Sequence, residues 1–393
     1  MLNHRKLFVY IHWIMMATMM QAAPLIDSKD LYNLAAIKQQ IHNIQTEDII
    51  FDAFVDASKQ ATLQRRGILI RRQDPIGTVV ICHGYLGCKR DSLALKHLFP
   101  NYNVLVFDFR AHGDDRNGQI STIGRDEAFD VIGAVHTVKS DPVMADKPII
   151  AFGFSMGAVS AIQAQSHDDT LFDAMILDCP FDSTDDAMRR GLDEKMQVTL
   201  FGKKFTIPGK QFLLDHMYDD SAQAITQFLF QAITKLDGKT ITTKFVQVRP
   251  VDAVKKITVP CFFIHCENDK KVPIYAVEQL YHNKPGFKRL WITQGKWHFG
   301  SYHNNPELYW YKVNKFLTKL QEQDIADREQ EKVCDHRTTV TITHDNTMVI
   351  SENKSSVARR MKNKKSRPYL WLNWCKKAKF ELTQPSLRLW RAN

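Results

Sequence analysis

The pentapeptide Gly153-Phe154-Ser155-Met156-Gly157 constrains this chain more than any other segment, because of what flanks it. The apolar run Pro148-Ile149-Ile150-Ala151-Phe152 precedes it and the helix-like stretch Ala158 to Gln165 follows. That context predicts strand, sharp turn and helix. Glycines on both sides permit a strained turn that lifts one hydroxyl above the sheet, so Ser155 is the candidate nucleophile. The competing reading is an ordinary glycine-flanked helix start with Ser155 as its N-cap.

Three further signals stand in the order such a turn needs for chemistry: nucleophile, then acid, then histidine, with a loop of approachable amides upstream. The run Gly77-Thr78-Val79-Val80-Ile81-Cys82 reads as a buried parallel strand ending in His83-Gly84-Tyr85-Leu86-Gly87. Its glycines let backbone amides approach a substrate carbonyl, which makes Tyr85 N–H and Met156 N–H the expected oxyanion donors. The plainer alternative for His83-Gly84 is a strand-to-helix turn. Farther on, the strand-like Pro260 to His265 leads into Cys266-Glu267-Asn268-Asp269-Lys270-Lys271-Val272-Pro273. Asp269 is the expected acid, an ionised carboxylate that holds a histidine tautomer and stabilises the imidazolium; Glu267 is the nearby alternative. The next strand, Arg289 to Thr293, leads to Gly295-Lys296-Trp297-His298-Phe299-Gly300. There His298 is the expected general base and His303 the runner-up, chosen on position and order, since a loop histidine by type alone is a surface or packing residue.

On these residues the chain resembles the α/β-hydrolase superfamily, especially its carboxylesterase-like and prolyl-oligopeptidase-like serine hydrolases, over about Glu47 to Leu320. The resemblance implies Ser155 as nucleophile, Asp269 as acid, His298 as base, and Tyr85 and Met156 as backbone donors. Phe107-Asp108-Phe109-Arg110-Ala111-His112-Gly113 is similar to the Asp-x-Arg-x-His-Gly turn of many members, and Arg110 and His112 are read as holding loops near the site. One departure stands out: Glu267 occupies a place where that branch often has glycine, which loosens any inference about substrate. The implied activity is cleavage of a carboxylic ester or thioester, from a small or lipid-like acyl substrate, through an acyl-enzyme. A peptidase or acyltransferase with the same three residues is the alternative within the fold. A catalytically silent binding protein is the alternative outside it, although such a protein has no need of three ordered groups.

A hydroxyl at the turn excludes the relatives that attack with a carboxylate, such as epoxide hydrolases and haloalkane dehalogenases, and the dienelactone hydrolases that attack with a thiolate. No phosphate-cradling glycine loop, Cys-x-x-Cys or His-Glu-x-x-His pattern occurs, so neither cofactor nor metal is expected. The expected fold is α/β, a mostly parallel sheet with helices on both faces. Val104 to Phe107, Ile149 to Phe152 and Ala174 to Leu177 are its central strands, with helices near Asp126 to Lys139 and Met156 to Ser166. Ile49 to Phe54 and Ile68 to Ile70 are the antiparallel edge. About 80 residues separate Asp178 from Pro260, too many for a simple crossover, so a cap is expected over about 188–254 within a hydrolase domain spanning 47–323. Its Phe201, Phe205, Phe212, Phe228 and Phe230 are expected to shape an acyl pocket, with a structural excursion holding its own small core as the equal alternative.

The termini read differently. His4-Arg5-Lys6, then the uncharged Leu7 to Met20, then Gln21-Ala22-Ala23-Pro24 predict a secretory signal peptide over 1–22 and a secreted or periplasmic protein. An uncleaved membrane anchor is the competing reading, although 14 residues are short for a span. Seven cysteines without a framework spacing leave at least one thiol free, and no Cys82–Cys88 pairing is predicted. The extension 324–393 opens on a hairpin signature, Thr338 to Ser351 around Asp345-Asn346. From Lys354 onward 12 Lys and Arg face the single acid Glu381, so the tail holds +11 of a whole-chain +10 and the rest is near neutral. The basic character therefore says nothing of substrate charge. With Trp371, Trp374 and Trp390 interleaved, the tail suits an anionic membrane surface, with nucleic acid disfavoured and a solvated basic end as the plain alternative.

Overall fold

The computed structural model describes residues 44–351, apart from 115, 117, 196, 201–202, 207–208, 235–240, 336–338 and 343–347. The expected signal or anchor segment 1–22 and the basic tail lie outside the described residues. Among the described residues no helix is long and apolar enough to cross a membrane.

The strands are β1 (Gln45–Phe54), β2 (Thr62–Arg71), β3 (Thr78–Cys82), β4 (Asn103–Phe107), β5 (Ile149–Phe154), β6 (Ala174–Asp178), β7 (Gln197–Leu200), β8 (Lys203–Thr206), β9 (Cys261–Cys266) and β10 (Lys288–Thr293). Eight of them form one sheet in the spatial order β1-β2-β4-β3-β5-β6-β9-β10. From β4 to β10 every pair is parallel, whereas β2 runs antiparallel to β4 with Gly67 opposite Phe107. Every residue of β3, β4, β5, β6 and β9 is buried, as continuous apolar runs require when helices cover both faces.

The covering helices include α1 (Lys89–Leu93), α2 (Glu127–Ser140) and α3 (Met156–His167). On one face Val80, Ala151, Leu177 and Phe263 join a core with residues of α2 and α3, such as Val131, Val135, Val159 and Ile162. On the other, the Phe152 ring meets Phe99 at 5.1 Å and Tyr309 at 6.4 Å. Neighbouring residues of one strand thus feed opposite cores, the period of two that a pleated strand imposes.

Between β6 and β9 the chain makes its long excursion through α4 (Thr184–Lys195), the antiparallel pair β7 and β8, α5 (Lys210–His216), α6 (Gln223–Thr234) and α7 (Pro250–Ala253). Its first helix begins before the expected 188. The returning segment is tied to the body: Ser121 N–H donates to Thr242 O at 2.8 Å, and Lys244 N–H to Ser121 O at 2.9 Å. The expected cluster of cap phenylalanines does not form, because Phe212 and Phe228 are 64% and 68% exposed. Of the three described, Phe230 turns inward, against Tyr85 and Phe245, since a small helical excursion has one covered side. The side chains of Phe201 and Phe205 lie outside the described part.

After β9 come α8 (Ile274–Asn283), β10, α9 (Gly300–Asn304) and α10 (Pro306–Asp335), which runs past residue 323, the expected end of the hydrolase domain. The predicted hairpin forms from β11 (Thr339–Ile342) and β12 (Met348–Ser351), with Val340 opposite Ile350, while its turn lies outside the described residues. Cys82 and Cys88 are both free thiols, as are Cys179, Cys261 and Cys266.

Candidate active site

Ser155 joins β5 to α3 with φ +46° and ψ −115°, a left-handed conformation that a non-glycine residue adopts at a cost of about 1 kcal/mol or more. Its flanking glycines are there because the chain passes too close for side chains. A Cβ on Gly153 would lie 2.7 Å from the backbone of Ala158, and one on Gly157 would lie 2.2 Å from the Cys82 carbonyl oxygen. The turn is held by Ser155 N–H donating to Asp178 O at 2.9 Å and by Val159 N–H donating to Ser155 O at 3.0 Å. Ser155 stands at the N-cap position of α3, but its side chain makes no capping bond. Its Oγ instead lies 2.9 Å from His298 Nε2.

Asp269 sits in the turn between β9 and α8, fully buried at its side chain. Its Oδ1 accepts the N–H groups of Lys271 and Val272 at 2.8 and 3.0 Å, and its Oδ2 lies 2.6 Å from His298 Nδ1. Burial alone would push this carboxyl up, but the His298 hydrogen bond and the two amide donors outweigh it and hold the group below its usual range. An ionised carboxylate can only accept, so Nδ1 carries the ring proton and Nε2 presents its lone pair to Ser155. The alternatives of the sequence reading lie elsewhere: Glu267 is exposed, its amide bonded to Thr293 O, and His303 is exposed on α9. The left-handed Phe299 (φ +67°) lays its ring 4.5 Å from that of His298 and 5.5 Å from Phe154.

Met156 opens α3, so its N–H is one of the first-turn amides that no helical carbonyl reaches. Tyr85 lies in the turn closed by Gly87 N–H donating to Gly84 O at 3.0 Å. Buried His83 fixes that turn from within. Phe109 N–H donates to His83 Nε2 at 3.0 Å, so Nδ1 bears the proton and donates to Gly84 O at 2.8 Å. The peptide that carries Tyr85 N–H is thereby oriented. Burial, reinforced by His112, pushes His83 down to about 3, so it stays neutral. The Tyr85 hydroxyl reaches the excursion, 2.7 Å from Thr243 Oγ1.

Arg110 and His112 brace these loops, as expected of them. The Arg110 guanidinium binds both Asp130 oxygens and donates to Phe54 O at 2.9 Å and Val55 O at 2.5 Å; His112 Nδ1 bonds Arg110 O at 2.7 Å. An apolar cleft of about 350 Å³ opens beside the Gly84–Gly87 turn, lined by Gly84, Tyr85, Leu95, Phe154, Phe299 and Tyr302. Cys179, which the sequence reading passed over, follows β6 with φ +46° and places Sγ 3.9 Å from His298 Nε2. No sequence pattern marks it. Among the described residues Cys179, Asp269 and His298 bring possible metal-binding atoms within 4.8 Å of one another.

This arrangement can be set beside known proteins. The chain is 28% identical over 282 residues to the uncharacterized protein YqkD of Bacillus subtilis (strain 168), covering 69% of this chain and 83% of that one. A structure of the Pyrococcus furiosus esterase Pf2001 superposes with a TM-score of 0.51 at 20% identity, covering 76% of this chain and 96% of that one, a likeness of fold. Residues 79–309, from β3 into the start of α10 and more than half of the sequence, match the alpha/beta hydrolase family, and the chain belongs to that family.

Proposed function

We propose that this protein is a serine hydrolase that cleaves a carboxylic ester or thioester through an acyl-enzyme. The observation that carries the reading is the unbroken chain from Ser155 Oγ to His298 Nε2 and from His298 Nδ1 to Asp269 Oδ2, at 2.9 and 2.6 Å. In this reading His298 Nε2 takes the hydroxyl proton as Ser155 Oγ bonds the acyl carbon. Tyr85 N–H and Met156 N–H stabilise the oxyanion, and Asp269 stabilises the imidazolium. His298 then returns the proton to the leaving alcohol or thiol, and a water activated by the same nitrogen releases the acid. The apolar cleft beside Gly84 and Phe299 supports a substrate with an apolar group.

The test is covalent. A fluorophosphonate probe should label wild type once and leave Ser155→Ala unlabelled, with hydrolysis lost by about 10⁴-fold or more. Labelling that persists at another serine would move the site. A panel of acyl esters, thioesters and peptide amides then separates the esterase from a peptidase. Export by the N-terminal segment and adsorption to anionic membranes through the tail complete the proposal. Cosedimentation with anionic and neutral vesicles at low and high salt tests the latter.

A further inference from the structure

The thiol of Cys179 has no part in the reaction just described, yet it stands against the one imidazole nitrogen on which that reaction depends. Cys179 Sγ is 3.9 Å from His298 Nε2, and Ser155 Oγ is 2.9 Å from the same nitrogen. Around a tetrahedral zinc ion, with bonds of about 2.3 Å to sulfur and about 2.0–2.1 Å to nitrogen, a sulfur and a nitrogen lie about 3.5 Å apart. A shift of a few tenths of an ångström would therefore let one ion touch both atoms. Ser155 Oγ, hydrogen-bonded to the same nitrogen, stands beside an ion held there.

We propose that Cys179 Sγ, His298 Nε2 and Ser155 Oγ form an inhibitory site for a zinc-like divalent cation, which switches the nucleophile off reversibly. Asp269 is not needed as a ligand. Its Oδ2 is committed to His298 Nδ1, on the other side of the ring, and this is how a carboxylate orients a zinc-bound histidine and raises its basicity. The triad's acid and base thus double as a prepared metal ligand and its support. Cys179 is fully buried with a left-handed backbone, anchored by Cys179 N–H donating to Ile264 O at 2.9 Å, so its thiol is held in place rather than swung in from solvent.

Charge explains why a divalent ion is favoured. Binding exchanges the thiol proton for the metal, giving a metal–thiolate bond and a released proton. The two positive charges are then met by one thiolate and by the Asp269 carboxylate. A site with two protein charges and soft as well as borderline ligands discriminates against magnesium and calcium, which take oxygen ligands.

Inhibition as a consequence rests on the serine-hydrolase reading, but binding does not, and the experiment separates them. Full-length protein, Cys179→Ala and Cys179→Gly are titrated with Zn²⁺ by equilibrium dialysis and with Co²⁺ by near-ultraviolet absorbance, while ester hydrolysis is followed in parallel. The glycine variant accommodates φ +46° without strain, which guards against misfolding. Wild type should bind one Zn²⁺ and show a thiolate-to-Co²⁺ band, and Zn²⁺ should inhibit over the same range, with EDTA restoring activity. Both variants should lose the band, bind Zn²⁺ at least 10-fold more weakly and hydrolyse ester in its presence. Equal Zn²⁺ affinity in wild type and variants, or a Co²⁺ complex without the band, would overturn the proposal. Zinc binding as expected in a protein that hydrolyses no ester would overturn only the assignment of activity.

Discussion

His298 and Asp269 are 29 residues apart in sequence and 2.6 Å apart at Nδ1 and Oδ2, because β9 and β10 are parallel neighbours whose last pair is Thr293 with Cys266. Each loop leaves its strand at the same end of the sheet, and each carries one partner. Asp269→Asn should therefore leave the fold unchanged while removing the charge that selects the tautomer. We expect kcat to fall by about 10³–10⁴-fold, because an amide at this place can donate to Nδ1 and turn Nε2 from acceptor to donor. A Glu267→Gln variant should be within about twofold of wild type. Steady-state kinetics on one soluble ester decide it, and a fully active Asp269→Asn protein would remove Asp269 from the mechanism.

The glycines flanking Ser155 differ from those merely in turns. Gly157→Ala forces a Cβ to 2.2 Å from a backbone oxygen, and Gly118→Ala meets nothing within 4 Å although its φ is +72°. The first should cost at least about 3 kcal/mol, or prevent folding, and the second about 1 kcal/mol. Urea denaturation with circular dichroism compares them. Equal losses would mean that the turn at Ser155 tolerates a displaced α3.

Arg110 and Asp130 form a buried pair, 3% and 0% exposed at their side chains, that also braces the chain at Phe54 and Val55. Asp130→Ala leaves a guanidinium uncompensated in the core and should destabilise the protein by about 3–5 kcal/mol. A loss under about 1 kcal/mol in chemical denaturation would show that water or a neighbour replaces the carboxylate.

His83 ties stability to pH. Its ring is held neutral down to about 3 in the folded chain, against an ordinary value of 6.5. Because the folded value is depressed, the unfolded chain gains a proton first as pH falls. Stability from this residue is thus complete above pH 6.5 and drains away between 6.5 and about 3. From pH 7.5 to pH 5 the loss is about 2 kcal/mol for this one group. His83→Asn should show a smaller fall over that interval by about this amount, though it starts less stable. Identical pH slopes in the two proteins would mean that His83 is protonated within the fold.

The linear chain carried more of the site than of its surroundings. Apolar runs of five or six residues ending in glycine-rich turns marked β3 and β5, and the order of Ser155, Asp269 and His298 selected three residues that the fold brings within hydrogen-bond distance. Local pattern suffices there because a parallel sheet delivers all its strand ends to one edge. Glu267 and His303 could be set aside only once side-chain directions were known, since neither type nor spacing distinguishes two carboxylates in one loop.

Tertiary structure alone decided what the site touches. Cys179 lies 24 residues from Ser155 in sequence, and its thiol meets His298 only because β6 lies between β5 and β9 in the sheet. The left-handed backbone at Cys179 and Phe299 is imposed by packing against the preference of both residue types, so no propensity could reveal it. The cap phenylalanines fail for the same reason in reverse: Phe212 and Phe228 are apolar in composition, but the neighbours that would bury them are supplied by the fold and not by the sequence around them. Strand order and local turns are short-range properties that sequence determines, whereas burial and the partners of a side chain depend on every element that packs around it.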